Sequence, residues 1–429
     1  MNGNGSVKQF YYKAMDMVLL SFSALAIYVA WGFNKIVTPF VSSNIYGLAA
    51  ISGGIILGLE GIVGIIIDPL SGYLTDMDIF YPKSTKRYFI MIGIPIMTLS
   101  LVILSYSNTV AMFVMAMLLF YVFAHFIRSP YNALMPEVVE KKHWGKASGY
   151  INAFFAIGSI IAYIVIAPIV LKNTFYGIVI AAVIIMIFGM ATPLYIRESK
   201  NRVKKSNIDG VFSKILKSKT LLLFFFAQMF WWTSFEAIAT YFYFYSKAMN
   251  FTLSGSSLIF AAVGFAIFNI ATFIAAIPTG YLYERIFRKK NLIYIGIIVF
   301  IIAELLAISY QKSDMILLDL FIGGIGWAFI LTASYPMGSY LIKKHVGGDN
   351  TPYGTFFGVT SIFANLAIIT GAYITALVLY LSHDNLEMIF PVSISALFIS
   401  GLLIMFMKIS DRMNGEMGKE MDIIPMELD

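Results

Sequence analysis

Long apolar stretches separated by short polar turns recur along the whole chain. Three examples of about 18 to 20 mostly apolar residues are Tyr88 to Ser105, Gly177 to Ile196 and Leu292 to Ser309. A helix rises about 1.5 Å per residue, so each stretch crosses most or all of a hydrocarbon core of roughly 30 Å. We therefore predict an all-α integral membrane protein with twelve transmembrane helices, at residues 15–38, 46–74, 88–106, 110–135, 149–171, 174–196, 220–246, 253–281, 291–309, 315–341, 355–381 and 388–408.

The composition also indicates that the chain is surrounded by lipid rather than water. Apolar residues make up 59% of the 429 residues, and Asp, Glu, Lys and Arg together only 12%, which are too few charges to coat a water-soluble globule. Cysteine is absent, which excludes disulfides and thiolate metal sites. The first apolar run begins near Met15 without a small-residue cleavage pattern, so we expect the first span to serve as its own insertion signal.

The basic residues alternate between the two sides of the predicted membrane. The side of the termini receives 25 Lys and Arg, the other side receives four (Lys35, Lys172, Lys247 and Lys312), and Arg128 lies within a span. Cytoplasmic loops are enriched in Lys and Arg. We therefore expect a multi-pass protein of the cell membrane with both termini in the cytoplasm, and attribute the net charge of +7 to topology rather than to nucleic-acid binding.

A polar segment divides the chain near its middle. Arg197 to Lys219 contains eight basic residues and falls between the sixth and seventh predicted spans. We interpret it as a cytoplasmic linker between two bundles. The predicted organisation is a cytoplasmic tail (1–14), an N-terminal six-helix bundle (15–196), the linker (197–219), a C-terminal six-helix bundle (220–408) and a second cytoplasmic tail (409–429).

The two halves repeat short motifs at nearly one offset. Gly72-Tyr73-Leu74 recurs 208 residues later as Gly280-Tyr281-Leu282, and Ile92-Gly93-Ile94 recurs 203 residues later. Lys141-Lys142-His143 is echoed 202 residues later. Parallel repeats of six spans imply two bundles with a solute site between them near the midplane. The alternative is that short basic turns resemble each other in any membrane protein.

Several motifs resemble those of known transporters. The segments Gly72 to Arg87 and Gly280 to Lys290 are similar to the loop signature of the major facilitator superfamily. The stretch Asp68 to Asp76 resembles the D-P-x-x-G-x-x-x-D motif of the glycoside-pentoside-hexuronide cation symporters, which include melibiose permease. Further segments resemble the sucrose/proton symporters of plants and animals: Trp31 with Thr38-Pro39-Phe40, Ser129 to Leu134, and Asn152 to Phe155.

The resemblance implies a role in cation coupling for Asp68, but the chain departs from the pattern at neighbouring positions. Gly64 stands where the melibiose group has a companion acid, and Arg128 where it has a fourth-span acid. Asn132 and Tyr121 stand where the sucrose transporters have an arginine and an acid. A two-carboxylate sodium site is therefore disfavoured, and proton coupling is the better expectation.

Three charged residues at membrane depth are candidates for that coupling. A buried charge costs at least about 2.5 kcal/mol, so each needs a reason. Glu60 lies near the middle of the second span, and a desolvated carboxylate there suits proton transport, although it can also be a structural hydrogen-bonded acid. Asp68 and Arg128 lie at similar depth and are expected to form an ion pair, either responsive to substrate or merely neutralising.

The seventh span offers a surface for a sugar. Gln228, Trp232 and Glu236 (or Trp231) share one helical stripe of hydrogen-bonding groups beside an aromatic platform, although aromatic residues in membranes also mark interfaces or pack on neighbours. The other candidates for the substrate site are Trp31, Asn34, Asn132, Asn269, Trp327 and Asn365, for which interhelical packing is the alternative.

The remaining polar residues indicate little further chemistry. Glu304 is expected to reach water at the outer side, and His125, one turn from Arg128, either joins its network or packs as a neutral histidine. The four histidines lack metal-ligand spacing, and no cofactor motif, phosphate loop or nucleophile elbow is present, so we expect a non-enzyme. Glycines such as Gly61 and Gly324 permit close helix approach.

The leading hypothesis is a proton-coupled symporter of a sugar or glycoside that works by alternating access in the lipid bilayer, as a monomer. Sodium is a less favoured coupling ion. The alternatives are an exporter of amphipathic small molecules, an intramembrane enzyme built on Glu60, Asp68 and His125, and a non-transporting sensor.

Overall fold

The computed structural model describes residues 13–46, 50–77, 79, 85–196, 211–253, 257–285, 289–347, 352–383 and 385–407. Among these residues the regular elements are helices, and there is no β-strand. The helices are α1 (Ala14–Asn44), α2 (Ala50–Asp76), α3 (Thr85–Ser105), α4 (Val110–Val138), α5 (Trp144–Ile160), α6 (Ala167–Lys172), α7 (Thr174–Tyr195), α8 (Val211–Lys217), α9 (Lys219–Ala248), α10 (Ser257–Arg285), α11 (Lys290–Tyr310), α12 (Ser313–Ile342), α13 (Tyr353–Leu381) and α14 (Ile389–Phe406).

The lengths of these helices match a twelve-span membrane protein. Eleven helical stretches of the described chain are long and apolar enough to cross a bilayer, with α5 and α6 forming one span through the π-helical segment Ile161–Ile166. The twelfth span is α2, whose 27 residues rise about 40 Å. Large apolar side chains such as Ile66, Ile187 and Leu377 are more than half exposed on the outside, as a lipid-facing surface requires. The predicted fold class is confirmed.

Several helices extend beyond the predicted spans. Helix α1 continues to Asn44, and the fifth span is already helical at Trp144. An apolar run marks only the part of a helix that faces lipid, whereas backbone hydrogen bonds carry the helix on through polar residues. Residues 1–12 and 409–429 of the predicted tails, and residues 197–210 of the linker, lie outside the described residues.

Helices α1–α7 form one bundle and α9–α14 the other, and the bundles contact each other mainly through α2 with α13 and α5 with α10. Glycine allows this approach. A Cβ on Gly72 would overlap the backbone of Gly354, and one on Gly145 would overlap the backbone of Gly280. The two halves are therefore held in backbone contact at one end of the spans.

Each of these contacts ends with an acid that accepts hydrogen bonds from the start of the opposing helix. Asp76, at the end of α2, accepts from the amides of Gly354 (3.1 Å) and Thr355 (2.5 Å) of α13. Glu284, near the end of α10, accepts from the amide of Lys146 of α5 at 2.9 Å. Unsatisfied amides and the dipole make a helix N-terminus attractive to a carboxylate.

Lysines support both acids. The fully buried Lys86 lies 3.3 Å from Asp76 and 2.7 Å from Glu137. Lys146 Nζ lies 3.3 Å from Glu284, and Lys289 donates to the backbone carbonyl of the same residue at 3.0 Å. We call the end of the spans that carries Asp76, Lys86, Lys146 and Glu284 the basic end, and it is closed by these contacts.

Candidate functional site

Between the bundles, one lysine lies against two buried carboxylates. Lys35 Nζ on α1 is 3.7 Å from Glu60 Oε2 on α2 and 3.6 Å from Glu236 Oε2 on α9. Glu60 is 6% and Glu236 1% exposed, whereas the Lys35 side chain keeps 22% of its surface. Lys35 therefore connects an acid of each half. We call Lys35, Glu60 and Glu236 the central cluster.

The position of Lys35 corrects the sequence analysis, which assigned it to the side opposite the termini. Because α1 continues for nine further residues, to Asn44, Lys35 lies well inside the helix and faces the other bundle. A signal for this was available. Tyr28, Trp31 and Lys35 share one helical stripe, so a lysine at the end of an apolar run belonged to the face that carries the aromatic residues.

Asn34 orients the acid of the N-terminal half. Its Nδ2 donates to Glu60 Oε2 at 2.7 Å, and its Oδ1 accepts from the hydroxyls of Thr38 (3.0 Å) and Tyr121 (2.9 Å). Three hydrogen bonds thus hold the Asn34 amide in one orientation. By contrast, Glu236 Oε1 is buried without a hydrogen-bond partner in the described structure, so Lys35 is its main polar neighbour.

A second network lies about two turns further along α2, towards the basic end. The fully buried Asp68 Oδ2 is 3.7 Å from Arg128 Nη1 and 3.1 Å from His125 Nδ1, both on α4. It also accepts from Asn365 Nδ2 of α13 at 3.0 Å. The expected ion pair is present, and His125 joins it. We call Asp68, His125, Arg128 and Asn365 the Asp68 network.

Gly64 explains why this network contains one carboxylate rather than two. A Cβ at this position would overlap the side chains of both Asn365 and His125. The acid that the resembled symporters carry here therefore has no room in this chain. Asn365 occupies the space instead, and its Oδ1 accepts from Arg128 at 3.5 Å across the two halves.

Aromatic rings line the contact beside the central cluster. Phe235 stacks on Trp327 with centroids 4.9 Å apart and planes at 16°, and Trp232 meets Trp327 edge-on at 4.9 Å. From the other half, Trp31 lies 5.9 Å from Phe235 and 5.3 Å from Lys35 Nζ. We call Trp31, Trp232, Phe235 and Trp327 the aromatic wall. Its faces suit the C–H surface of a sugar or an apolar ring.

Four predicted substrate residues do not join these groups. Trp231 was wrongly placed at the cavity: it is fully buried in the core, 6.1 Å from Phe224, because its side of α9 faces its own bundle. Asn269 donates to a carbonyl one turn back on its own helix. Gln228 and Asn132 are partly buried.

Other functional candidates were missed. The Tyr28 ring lies 5.7 Å from Trp31 of the aromatic wall, and the buried Tyr335 hydroxyl has no hydrogen-bond partner among the described residues. Their aromatic character hid them among packing residues. The expectation that Glu304 reaches water was wrong: it is 1% exposed and accepts a hydrogen bond from Ser393, because α14 covers it.

The charges of the site do not balance. Lys35 and Arg128 supply two cations, and Glu60, Asp68 and Glu236 supply three carboxylates. One proton, on a carboxylate or on the histidine of the Asp68 network, balances the set. The described residues contain no group of three or more His, Cys, Asp or Glu placed to hold a metal ion.

Comparisons with known proteins agree with the fold. The model of the family described as Major Facilitator Superfamily matches residues 17–372. The chain is similar to the crystal structure of the transporter FucP in the outward conformation, with 15% identity, a TM-score of 0.70, and coverage of 92% of this chain and 99% of that chain. A variant of the E. coli fucose:proton symporter FucP aligns with the same identity and coverage at a TM-score of 0.69. No curated protein matches the sequence.

Proposed function

Because the chain belongs to the major facilitator superfamily, we propose that it is a secondary active transporter that couples proton movement to symport of a sugar or glycoside. The solute binds between the bundles, which open to each side of the membrane in turn. The contact that supports this proposal most directly is Lys35, which reaches Glu60 of one half and Glu236 of the other.

Protonation changes that contact in a way that couples to opening. With both acids ionised, Lys35 attracts a carboxylate on each side and holds the halves together. A proton on Glu60 or Glu236 removes one attraction and leaves a neutral cluster, in which a polar solute is less costly to enclose. Coupling requires that the solute bind the protonated and ionised forms with different affinity, and that difference is the coupling free energy.

The chemistry of the walls favours a sugar. Trp31 and Trp232, which are partly exposed, offer ring faces, and the Tyr335 hydroxyl, which has no hydrogen-bond partner among the described residues, offers a polar group. Carbohydrates present both an apolar C–H face and a ring of hydroxyls, which matches that combination. The structurally similar FucP is a fucose:proton symporter, which makes monosaccharides the first solutes to test.

The orientation follows from the basic end. With Lys35 inside the bundle, the side opposite the termini keeps three basic residues (Lys172, Lys247 and Lys312) against 25 on the side of the termini. By the positive-inside rule the basic end and both termini face the cytoplasm. The closed basic end then blocks the cytoplasmic side, and solute enters from outside.

Uptake into proteoliposomes tests the proposal. The purified protein is reconstituted and offered a panel of labelled monosaccharides, disaccharides and glycosides, with and without an inward proton gradient. We expect one solute class to accumulate only with the gradient and to carry protons inward with it. Flux without accumulation under the gradient, or no flux for any sugar, would contradict proton-coupled sugar symport.

Export of amphipathic compounds is a second candidate, which the aromatic wall favours because the partly exposed rings of Trp31 and Trp232 provide a surface for apolar groups. Sensitivity of cells to a panel of such compounds, with and without overproduction of the protein, distinguishes the two. An exporter protects the cells and gives no gradient-driven sugar accumulation.

A further inference from the structure

The acids and the cations of the site differ in how deeply their side chains are buried. The carboxylate side chains of Glu60, Asp68 and Glu236 keep 8%, 0% and 2% of their surface. The side chains of Lys35 and Arg128 keep 22% and 27%. A charge at membrane depth is costly where it faces lipid, so the open faces of the two cations turn to the space between the bundles. A solute that enters this space meets positive charge first.

Of the two cations, Arg128 is the one better placed to bind a further anion. Lys35 already lies between two acids, whereas Arg128 has one. Arg128 Nη1 lies 3.7 Å from Asp68 Oδ2 and 3.5 Å from Asn365 Oδ1. Both contacts are longer than the roughly 2.7–2.9 Å of a charge-assisted hydrogen bond. The planar fork of the guanidinium is therefore loosely held, and it matches a carboxylate in bidentate geometry.

Asp68 keeps other partners if the guanidinium turns to a solute. Its Oδ2 lies 3.1 Å from His125 Nδ1 and accepts a hydrogen bond from Asn365 at 3.0 Å. Its Oδ1 is buried without a hydrogen-bond partner in the described structure. A proton on Oδ1 therefore leaves the contacts of Oδ2 in place. His125 and Arg128 of α4 and Asn365 of α13 are the groups that face this acid among the described residues.

The charge count then fixes how many protons accompany an anion. The two cations and three carboxylates of the site are balanced by one proton when no solute is bound. A bound monoanion adds one negative charge, which requires a second proton at this depth. One proton thus crosses with each anion, and the step carries no net charge across the membrane.

On the basis of the proposed function, we propose that the transported solute is a sugar acid whose carboxylate pairs with Arg128 and which crosses together with one proton. The partly exposed rings of Trp31 and Trp232 receive the C–H face of the sugar. A neutral sugar gives the guanidinium no charged acceptor in exchange for Asp68. The acid is therefore preferred over the neutral sugar of the same shape.

Uptake of matched solutes into proteoliposomes tests this assignment. Galacturonate is compared with galactose, and glucuronate with glucose, under an inward proton gradient. Vesicles without protein correct for diffusion of the uncharged acids. We expect the acids to accumulate at least about tenfold more than the matched sugars, since the acid alone forms the charged hydrogen bonds. Accumulation should stay the same when potassium and valinomycin set the membrane potential to zero or to inside negative.

Variants of Arg128 locate the carboxylate. Arg128→Gln should lower the apparent affinity for the acid by about 10- to 100-fold, the range expected for lost hydrogen bonds to a charged group, and change that for the neutral sugar little. Arg128→Lys keeps the charge without the fork and should give a smaller loss. Lys312→Gln, which removes a cation from an exposed position, is the matched control and should leave the uptake of both solutes unchanged.

A binding measurement covers the case in which Arg128→Gln fails to fold. Asp68→Asn combined with Arg128→Gln removes both charges of the pair, so that no unpaired charge is left buried. Galacturonate should raise the Tm of the unsubstituted protein, because a ligand of the folded state stabilises it. The rise should be lost in the double variant.

The possible failures are distinguishable. Neutral sugars that accumulate as strongly as their acids would overturn the sugar-acid assignment and leave proton-coupled sugar symport standing. No gradient-driven accumulation of either class would contradict the proposed function itself. Acid uptake that is unchanged in Arg128→Gln, or a Tm rise that survives in the double variant, would show that the carboxylate binds elsewhere. Accumulation that follows the membrane potential would refute the count of one proton for each anion.

Discussion

Helices α2 and α10 occupy equivalent positions in the two halves, yet only α2 carries acids at three depths. The acids of α2 recur every eight residues, about 12 Å apart along the helix, as Glu60, Asp68 and Asp76. The repeat offset of 208 places at the equivalent positions of α10 the residues Phe268, Ala276 and Glu284. The two helices thus agree at the basic end and differ further inside.

This difference distinguishes the contacts that close the basic end from the buried acids deeper in the membrane. At the basic end, both halves keep an acid that accepts from the first turn of the opposing helix, so that contact repeats with the fold. Deeper in the membrane, α2 has Glu60 and Asp68 with their cations, whereas Ala276 packs against Ala153 and Ala328. The closing contacts are shared by the halves, whereas the deeper acids with cationic partners lie on α2 and are joined by Glu236 of the other half.

The largest expected effect comes from removing the deepest acid of α2. Glu60→Gln keeps the hydrogen bond from Asn34 but cannot exchange a proton. We expect accumulation driven by a pH gradient to fall by about tenfold or more, within the usual range of coupling free energies. Proteoliposome uptake measures it, with Glu140→Gln as the control. Normal accumulation by Glu60→Gln would remove this residue from the coupling mechanism.

Introducing an acid into α10 tests whether this helix can accommodate a buried charge as α2 does. Ala276→Asp places a carboxylate among buried alanines with no cation beside it. We expect the unfolding free energy to fall by about 3 kcal/mol or more, because an unpaired buried charge is so costly. Thermal unfolding measures the loss, and Ala276→Ser, similar in size and uncharged, should cost much less. Equal losses of unfolding free energy in Ala276→Asp and Ala276→Ser would indicate that steric overlap, and not charge, causes the destabilisation.

The Asp68 network predicts a non-additive pair. Asp68→Asn leaves the Arg128 guanidinium without its carboxylate, and we expect about 2 kcal/mol of destabilisation, less than for a fully buried pair because Arg128 keeps 27% exposure. Adding Arg128→Gln should recover part of the loss. A double-mutant cycle of thermal unfolding measures the coupling, and strictly additive losses would show that the ion pair contributes nothing.

At the basic end, the two acids should differ in how much each stabilises the closed contact. Asp76 is fully buried and accepts from two amides, whereas Glu284 accepts from one. We expect Asp76→Asn to weaken closure by about 1–2 kcal/mol and Glu284→Gln by less.

The absence of cysteine makes this closure measurable. The buried Ser148 donates to the Thr332 carbonyl across the two halves, so a single Ser148→Cys reports opening through its rate of maleimide labelling. Labelling should be faster when Asp76→Asn is added to Ser148→Cys than when Glu284→Gln is added. It should be slowest in the protein that carries Ser148→Cys alone. The reverse order would mean that the C-terminal acid dominates closure.

The smallest expected effect concerns Lys289, which corresponds to Lys86 at the second repeat offset of 203. Lys86 contacts two carboxylates, whereas Lys289 donates to backbone carbonyls. Burial lowers the pKa of Lys289 to about 8 from 10.5. The unfolded chain therefore holds this proton to higher pH, and the unfolding free energy should rise by about 1 kcal/mol between pH 8 and 10.5, after a discount for screening by water at this end of the spans.

Lys289→Gln should remove that rise, whereas Lys312→Gln, at an exposed position, should keep it. Thermal unfolding across this pH range measures both variants. An unchanged slope in Lys289→Gln would mean that other groups cause it.

Part of the site was predictable from depth alone. A charged side chain in the middle of an apolar helix is energetically costly unless it meets a partner. That argument identified Glu60, Asp68 and Arg128. It failed for Lys35, which lies late in the first apolar run and was assigned to the outer side.

The sequence by itself determined the all-helical class and the repeated membrane-spanning segments, because hydrophobic length acts locally along the chain. Which side chains meet was decided only by tertiary structure. Lys35 and Glu236 are 201 residues apart, and no sequence pattern links them. Lys35 Nζ nevertheless lies 3.6 Å from Glu236 Oε2. Helix packing set that distance, since glycines such as Gly64 and Gly72 determine how closely and in which rotation the bundles approach.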